Sequence, residues 1–478
     1  MPKKISLRLF DTMSKQEEEI LPSDGKTIRM YTCGPTVYDV AHIGNFRTFI
    51  FEDLIRRTLK LFGYPICQVM NITDVDDKTI RGAMQKGVSL EAFTDTFKKA
   101  FFEDLKTLRI ERAEHYPEAT KHIKGMIDMI ATLVERGAAY QHSDGSVYFS
   151  IDKARGYGKL SHLKIEELRS NTSVKNFGDE YSHEGIADFA LWKAYDKERD
   201  GNVYWESPWG KGRPGWHLEC SIMAREFLGE TIDLHAGGVD LIFPHHENEI
   251  AQSETASGRP FALHWAHGEH LLVDHKKMSK KLGNFYTLRD LLDKGYAPSA
   301  IRFFLISNHY RTQLNFTFQG LDAALSSIKR IRDFAERLSL PVEEEGKNPE
   351  YHTAIDEYEK RFFDALSRDL NISEALAAFF DSIRYTNHLL DTEDLGKKEI
   401  DRMKMFLLNV DKILDILTPD ETSLPEKIAL LVKERKQARE EKKWQRSDAI
   451  RDELNHLGYI VEDLPTGQRV TKSTPTIS

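Results

Sequence analysis

The run Tyr31-Thr32-Cys33-Gly34-Pro35-Thr36-Val37-Tyr38-Asp39 leads into His42-Ile43-Gly44-Asn45. Possible metal ligands return far downstream at Cys220 and in His245-His246-Glu247-Asn248-Glu249. A thiol just ahead of a His-Ile-Gly loop suggests a soft metal held beside a phosphate site. Cys33, Cys220, His245 and Glu249 would make a thiolate, thiolate, imidazole, carboxylate set, with His245 and Glu249 spaced i, i+4 on one helix face. Zinc suits such ligands, and its lack of a d-electron geometric preference lets it expand from four to five ligands and so accept a substrate thiolate. The spacing alone is a weak signal, because zinc sites usually bring paired Cys-x-x-Cys knuckles. Two scattered core cysteines are its plainer reading.

Two further groups could act on a nucleotide. His42-Ile43-Gly44-Asn45 falls where strand passes to helix, so imidazole donors and free backbone N–H groups can converge on a triphosphate, and Gly44 lets an adenine come close. The run Lys277-Met278-Ser279-Lys280-Lys281-Leu282-Gly283-Asn284 puts two lysines three apart on a mobile loop, where they could neutralise charge growing on a pyrophosphate leaving group. Taken singly, the first also describes a tight turn and the second a solvated basic loop.

These residues need elements to hold them. Lys26 to Thr32 reads as a strand, and Asn45 to Phe62 as a helix burying Phe46, Ile50 and Leu54, stopped by Gly63-Tyr64-Pro65. Ile66 to Ile72 then reads as a second strand. That is a βαβ unit with a parallel sheet. Helices are expected from Glu91 to Leu108 and from Glu118 to Arg136. A hairpin is expected about Ser143-Asp144-Gly145, in polar, Gly-rich sequence that continues to about Pro214 and reads as an insertion. The sheet resumes with Thr231 to Ala236, and His245 to Ser257 follows as a helix. Beyond about Leu288 helices dominate, with the acidic stretch Pro341 to Pro349 as a loop between them.

Composition narrows the class. With 40% hydrophobic and 30% charged residues among 478, the chain is a soluble globular protein of about three or four domains. No apolar run approaches the roughly 18 residues of a membrane span, and the start lacks a secretory h-region. Three cysteines, Cys33, Cys67 and Cys220, point to a reducing compartment, so a cytoplasmic location is expected. A net charge of -9 gives no global pull on nucleic acid, so any such partner must be gripped by local basic surface. Lys433 to Arg451 has a basic excess. It reads as a solvated helix, or as an RNA grip in which Arg439, Lys442, Lys443 and Arg446 meet phosphates and Trp444 stacks on a base.

The His42 and Lys277 groups, in this order, resemble the HIGH and KMSKS signatures of class I aminoacyl-tRNA synthetases. Adding the metal set, Gly215-Trp216-His217-Leu218-Glu219-Cys220-Ser221, Asn71-Ile72-Thr73-Asp74-Val75-Asp76-Asp77-Lys78 and Phe243-Pro244-His245-His246-Glu247-Asn248-Glu249, the whole chain resembles the cysteinyl-tRNA synthetase family. The resemblance implies a Rossmann-like catalytic domain of the α/β class, residues 1–120 and 214–275, split by a connective insertion at 121–213. A stem-contact region with the lysine loop would occupy 276–314, a helical bundle 315–418 and an anticodon-binding domain 419–478.

It also implies roles for particular residues. Cys33, Cys220, His245 and Glu249 match the ligands of one Zn2+, and His42, Asn45, Lys277 and Lys280 match the catalytic signatures. Gly34, Thr36, Gly44, Thr73, Trp216, His235, Gly237 and Asp240 fall at positions that would meet cysteine and ATP, with His217 beside them. Cys67 matches nothing functional and reads as core. Asp76 and Asp77 read as a helix start, a Mg2+ site there being the weaker reading. Two positions depart from the family: Asn45 stands where His is common, and Lys281 where Ser is usual. The implied reaction forms cysteinyl-adenylate from cysteine and Mg2+-bound ATP, then passes the cysteinyl group to the terminal ribose 2'-OH of tRNA(Cys). A monomer, with no membrane partner, is expected. The rival readings are a cysteine ligase acting on an amino-sugar thiol precursor, which lacks a full C-terminal tRNA-binding domain, and a tRNA-binding protein that has lost catalysis.

Overall fold

The computed structural model describes residues 5–163, 188–341, 348–392, 394–420, 426–464 and 467–472. The chain divides into two compact units, Met1–Leu288 with Ser299–Leu417, and Arg289–Pro298 with Thr418–Ser478. No helix among the described residues is long and apolar enough to cross a membrane.

The larger unit is built on four parallel strands in the order Ala262–Gly268, Ile232–Gly238, Ile28–Thr32, Ile66–Met70. The chain leaves Ile28–Thr32 toward one side of the sheet and returns to its other side at Ile232–Gly238. The carboxyl ends of these two strands therefore flank a topological switch point, where open α/β sheets bind ligands. The expected strand, loop, helix, strand unit is present, with the helix at Ile43–Leu61. It starts two residues before the sequence reading because His42 caps it. Phe46, Ile50 and Leu54 are buried as their spacing predicts.

Helices Ile123–Glu135, Trp216–Leu228 and Glu247–Ser257 share one apolar core with Tyr31, Val69, Ile232 and Trp265 of the sheet. The expected helix from Glu118 to Arg136 is broken into a 3-10 turn at Ala119–Lys121 and a helix from Ile123. The Ala119 N–H donates to Ile72 O at 3.1 Å, so that backbone extends the sheet edge instead of a helix. Strand Ala262–Gly268 and helix Trp216–Leu228 have no clear sequence signal. The strand has no β-branched residue, and the helix is buried from His217 through Ala224, which erases any single apolar stripe.

Between those helices an antiparallel sheet runs in the order Ala139–Gln141, Val147–Phe149, Phe189–Ala194, Gly212–Pro214, with Gly145 at φ +91° in the expected hairpin turn. The rest of the Gly-rich stretch, residues 164–187, lies outside the described residues. So do 342–347 of the expected acidic loop.

Helices Phe318–Arg337, Tyr351–Ser367, Ile372–Asp391 and Lys397–Leu414 form the bundle. One buried carboxylate ties it to helix Ile43–Leu61. Asp53 Oδ2 accepts from Arg302 at 2.7 Å and Arg57 at 2.8 Å. These two guanidiniums also donate to Leu414 O and Lys412 O, the unsatisfied carbonyls at the end of the last bundle helix. Burial alone would push the Asp53 pKa up, but Arg302 and Arg57 outweigh it and leave it below the usual carboxylate range. A carboxyl lowered in the folded state lends stability above its unfolded pKa and loses it as pH falls through the folded one. Asp53→Asn takes the ion-pair partner from the buried Arg302 and leaves Arg57 with Asp415 alone, and is expected to cost about 3 to 5 kcal/mol. A large fall in melting temperature at pH 7, shrinking toward acid pH, would show it.

In the smaller unit, helices Glu426–Glu440 and Trp444–His456 and the strand pair Tyr459–Leu464, Gly467–Lys472 enclose Ile428, Leu431, Ile450, Leu454 and Val461. The charged run Lys433 to Arg451 is thus two helices, not the single one expected. Lys442 at φ +58° turns the chain between them, a backbone state that charge patterning does not report.

Candidate active site and metal centre

Cys33 follows strand Ile28–Thr32 directly, Cys220 sits in helix Trp216–Leu228, and His245 and Glu249 straddle the start of helix Glu247–Ser257. One donor atom from each lies within 4.8 Å of the other three, and all four residues are buried. The helix proper begins later than the sequence reading, because Phe243, before Pro244, is extended at φ -136°, ψ 132° and a π-turn covers Ile242–His246. The expected i, i+4 approach survives: His245 Nε2 is 3.4 Å from Glu249 Oε1.

The surroundings fit a cation. Glu249 is fully buried, and among the described residues neither carboxylate oxygen has a hydrogen-bond partner, although His235 Nε2 stands 2.9 Å away. Burial pushes the Glu249 carboxyl and the Cys33 and Cys220 thiols up in pKa, so without a positive charge they would sit neutral. A coordinated metal reverses that preference. On its far side, His245 Nδ1 is 2.9 Å from His217 Nδ1. Burial holds the His217 pKa at about 3, so both rings are neutral and one of the two nitrogens must donate. If His245 Nδ1–H donates to His217, its Nε2 lone pair is left free for a metal. Trp216 stacks on the His245 ring, centroids 4.0 Å apart.

Sequence reasoning missed two more histidines here. Cys33 Sγ lies 3.4 Å from His246 Nε2, His246 Nδ1 lies 2.8 Å from His267 Nε2, and His267 Nδ1 lies 2.6 Å from Thr12 Oγ1. His246 was visible as the neighbour of His245. His267 sits one residue before the end of a strand with no sequence signal. His235 stacks on Trp265, centroids 4.5 Å apart, with neither ring nitrogen hydrogen-bonded among the described residues, and with Cys33 and His246 it forms a second cluster of donor atoms.

The residues expected to meet the nucleotide gather at the helix start. His42 is the N-cap: its Nδ1 accepts the Asn45 N–H at 3.1 Å, and Asn45 Oδ1 accepts the His42 N–H at 3.1 Å. With Nδ1 committed as acceptor, the neutral ring carries its proton on Nε2. Burial, reinforced by the positive charge of Lys280, lowers the His42 pKa against the opposing pull of the exposed Asp240. The lysine loop lies over this helix start. A side chain at Gly44 would come within 3.0 Å of both the His42 ring and Met278 Cε. Lys280 pairs with Asp39 at 2.6 Å and lies 5.0 Å above the Phe285 ring, which meets His42 edge to face. Asp39 and Phe285 carried no signal in the sequence. Lys277 forms a two-residue strand with Lys276.

The remaining expected contacts divide. Gly34 has no room for a side chain, since a Cβ would lie 1.8 Å from Asn71 O. Its N–H donates to Asn71 Oδ1, and Thr36 pairs with Thr73, so these residues lock two strand-end loops together. Thr73 Oγ1 is buried and donates to Glu219 Oε2 at 3.0 Å. A side chain at Gly237 would press on the His246 ring. Asp76 caps helix Asp77–Lys86 through the Lys78 N–H, and Asp77 pairs with Arg213 and Lys193, which accounts for both carboxylates without a metal. Cys67 is half-buried against the core. In the smaller unit Arg439 lies 5.6 Å over the exposed Trp444 ring, while Lys443 pairs with Glu441 and Arg446 with Glu434. Lys442 stands at the turn.

Residues 19–326 match the family model of the class I (C) tRNA synthetase catalytic domain, and residues 421–470 that of the cysteinyl-tRNA ligase anticodon binding domain. The chain is 52% identical over 472 residues to a cysteine–tRNA ligase of Protochlamydia amoebophila, covering 98% of each. It is 50% identical over 477 residues to that of Chlamydia muridarum, covering 98% of this chain and all of the relative. Among solved structures, the methionyl-tRNA synthetase of Mycobacterium tuberculosis bound by methionyl-adenylate shares the fold, with a TM-score of 0.58 at 14% identity over 82% of this chain and 90% of that one.

Proposed function

Because the chain belongs to the cysteine–tRNA ligase family of class I aminoacyl-tRNA synthetases, we propose that it uses the paired sites above to activate cysteine with ATP and charge tRNA(Cys). The anticodon-binding match over residues 421–470 supports tRNA as acceptor over an amino-sugar thiol.

In the first step a cysteine carboxylate oxygen attacks the α-phosphorus of Mg2+-bound ATP in line and pyrophosphate leaves. The terminal ribose hydroxyl of the tRNA then attacks the adenylate carbonyl and AMP leaves. His42 is held by Asn45 with its Nε2–H as the outward donor, suited to an α-phosphate oxygen gaining charge. Asn45 has its Oδ1 engaged by His42, and its amide Nδ2 remains the donor it can offer. Lys280 would trade Asp39 for the β- and γ-phosphates, with Lys277 alongside. Trp216 and His217 hold the His245 ring in place. Zn2+ held by Cys33, Cys220, His245 and Glu249 would supply a soft Lewis acid that takes a thiolate in preference to the harder hydroxyl of serine.

The observation that carries this reading is the convergence of four buried donors from three distant stretches of chain. Charging of purified tRNA with labelled cysteine, with serine as control, tests it: cysteine should be esterified and serine not. A zinc-loaded protein that fails with cysteine would sink it.

A further inference from the structure

Glu247 stands between the ligand candidates His245 and Glu249, yet its carboxylate points away from them. Fully buried, it accepts the N–H of Gly158 at 2.8 Å, of Leu160 at 3.1 Å and of Ser161 at 2.8 Å, and the Ser161 hydroxyl at 2.9 Å. Four donors, with no cation among the described residues, make this an anion nest built by a loop. The loop's shape is set by Gly158, at φ +93°, where a Cβ would lie 2.0 Å from Leu163 O. Its flanks are tied to the same helix, Tyr157 OH donating to Asn248 Oδ1 at 2.5 Å and Lys159 pairing with Glu254 at 2.5 Å. The far end reaches the metal centre by another route. His162 Nε2 is 3.0 Å from Thr12 O, and Thr12 leads through His267 and His246 to Cys33.

We propose that Glu247 is a positioning residue for the metal-ligand pair: by clamping the segment from Tyr157 to His162 onto the first turn of the ligand helix, it sets how tightly His245 and Glu249 hold their metal. A π-turn precedes the helix and His246, its N-cap, makes no side-chain cap hydrogen bond, so its first turn is held by side-chain contacts: His245 with His217, His246 with His267, and Glu247 with four donors of the loop. Gln at 247 would turn an amide N–H group toward backbone donors, breaking the nest while keeping its volume. The inference rests on the reading that His245 and Glu249 bind zinc.

The test uses the full-length zinc-loaded protein and follows zinc release to a chromogenic chelator. Glu247→Gln is expected to release zinc roughly 10- to 100-fold faster, the range for groups that orient a metal ligand. The KM for cysteine should rise while the KM for ATP holds. Ser161→Ala removes one of the four bonds and should speed release about fivefold. It serves as the readout if Glu247→Gln does not fold. Lys159→Ala cuts a partly exposed ion pair at the loop's flank, which solvent screens, and should speed release less than Ser161→Ala does. Wild-type release rates in both Glu247→Gln and Ser161→Ala overturn the clamp alone, as does an equal rise in both KM values, which marks a general structural defect. Wild-type protein that holds no zinc overturns the metal reading with it.

Discussion

Cys220→Ser should empty the metal centre and with it abolish cysteine activation. Serine's hydroxyl is a hard donor that stays protonated near neutral pH, so the site would keep one thiolate, one imidazole and one carboxylate. Cys220 is buried, and its thiol lies within 4.8 Å of the donor atoms of Cys33, His245 and Glu249. Loss of a ligand should cost more than loss of a group that merely orients one, so cysteine-dependent ATP–pyrophosphate exchange is expected to fall by more than roughly 100-fold. Zinc content should drop from about one per chain toward none. Cys67→Ser is the control, being half-buried and away from the donors. Chelator-stripped wild type should reproduce the loss and recover with added zinc, and the variant should not recover. Retained zinc with normal exchange in Cys220→Ser would remove the recognition mechanism while leaving the family assignment untouched.

How much of this was legible depended on the range of the physics involved. Cys33, His42 and the first βαβ unit could be read directly, because a strand, a Gly/Pro loop and a capped helix are local and leave periodic marks. Cys220 and Glu249 could be read only through resemblance, since their nearness to Cys33 is made by a parallel sheet that brings distant strands side by side. The His246–His267–Thr12 chain and the Glu247 nest had no sequence signal. The first needs strand Ala262–Gly268, whose residues alternate in no recognisable way, and the second depends on backbone N–H groups, which every residue but proline owns. The Lys433 to Arg451 stretch was misread as one helix for a related reason: a single left-handed residue, Lys442, decides it.

The other large effect is expected at His42, where two roles share one ring. Nδ1 caps the helix by accepting from Asn45, and Nε2 is the donor proposed for the α-phosphate. Substitution by Ala removes both and cannot tell them apart. Asn is a strong N-cap whose short side chain can still accept from the Asn45 N–H, so His42→Asn should keep most of the cap, worth about 1 kcal/mol. It cannot place a donor where the imidazole Nε2 lies. Both variants should therefore lose roughly 100- to 1000-fold in kcat for adenylate formation, the usual cost of deleting one donor aimed at developing charge. Only His42→Ala should also lower the melting temperature. Zinc content should be normal in both, because His42 is not among the clustered donors. A His42→Asn protein with near wild-type kcat would show that the ring acts only as a cap, and the charge on the α-phosphate would then have to be met by Lys277, Lys280 and the helix N-terminus alone.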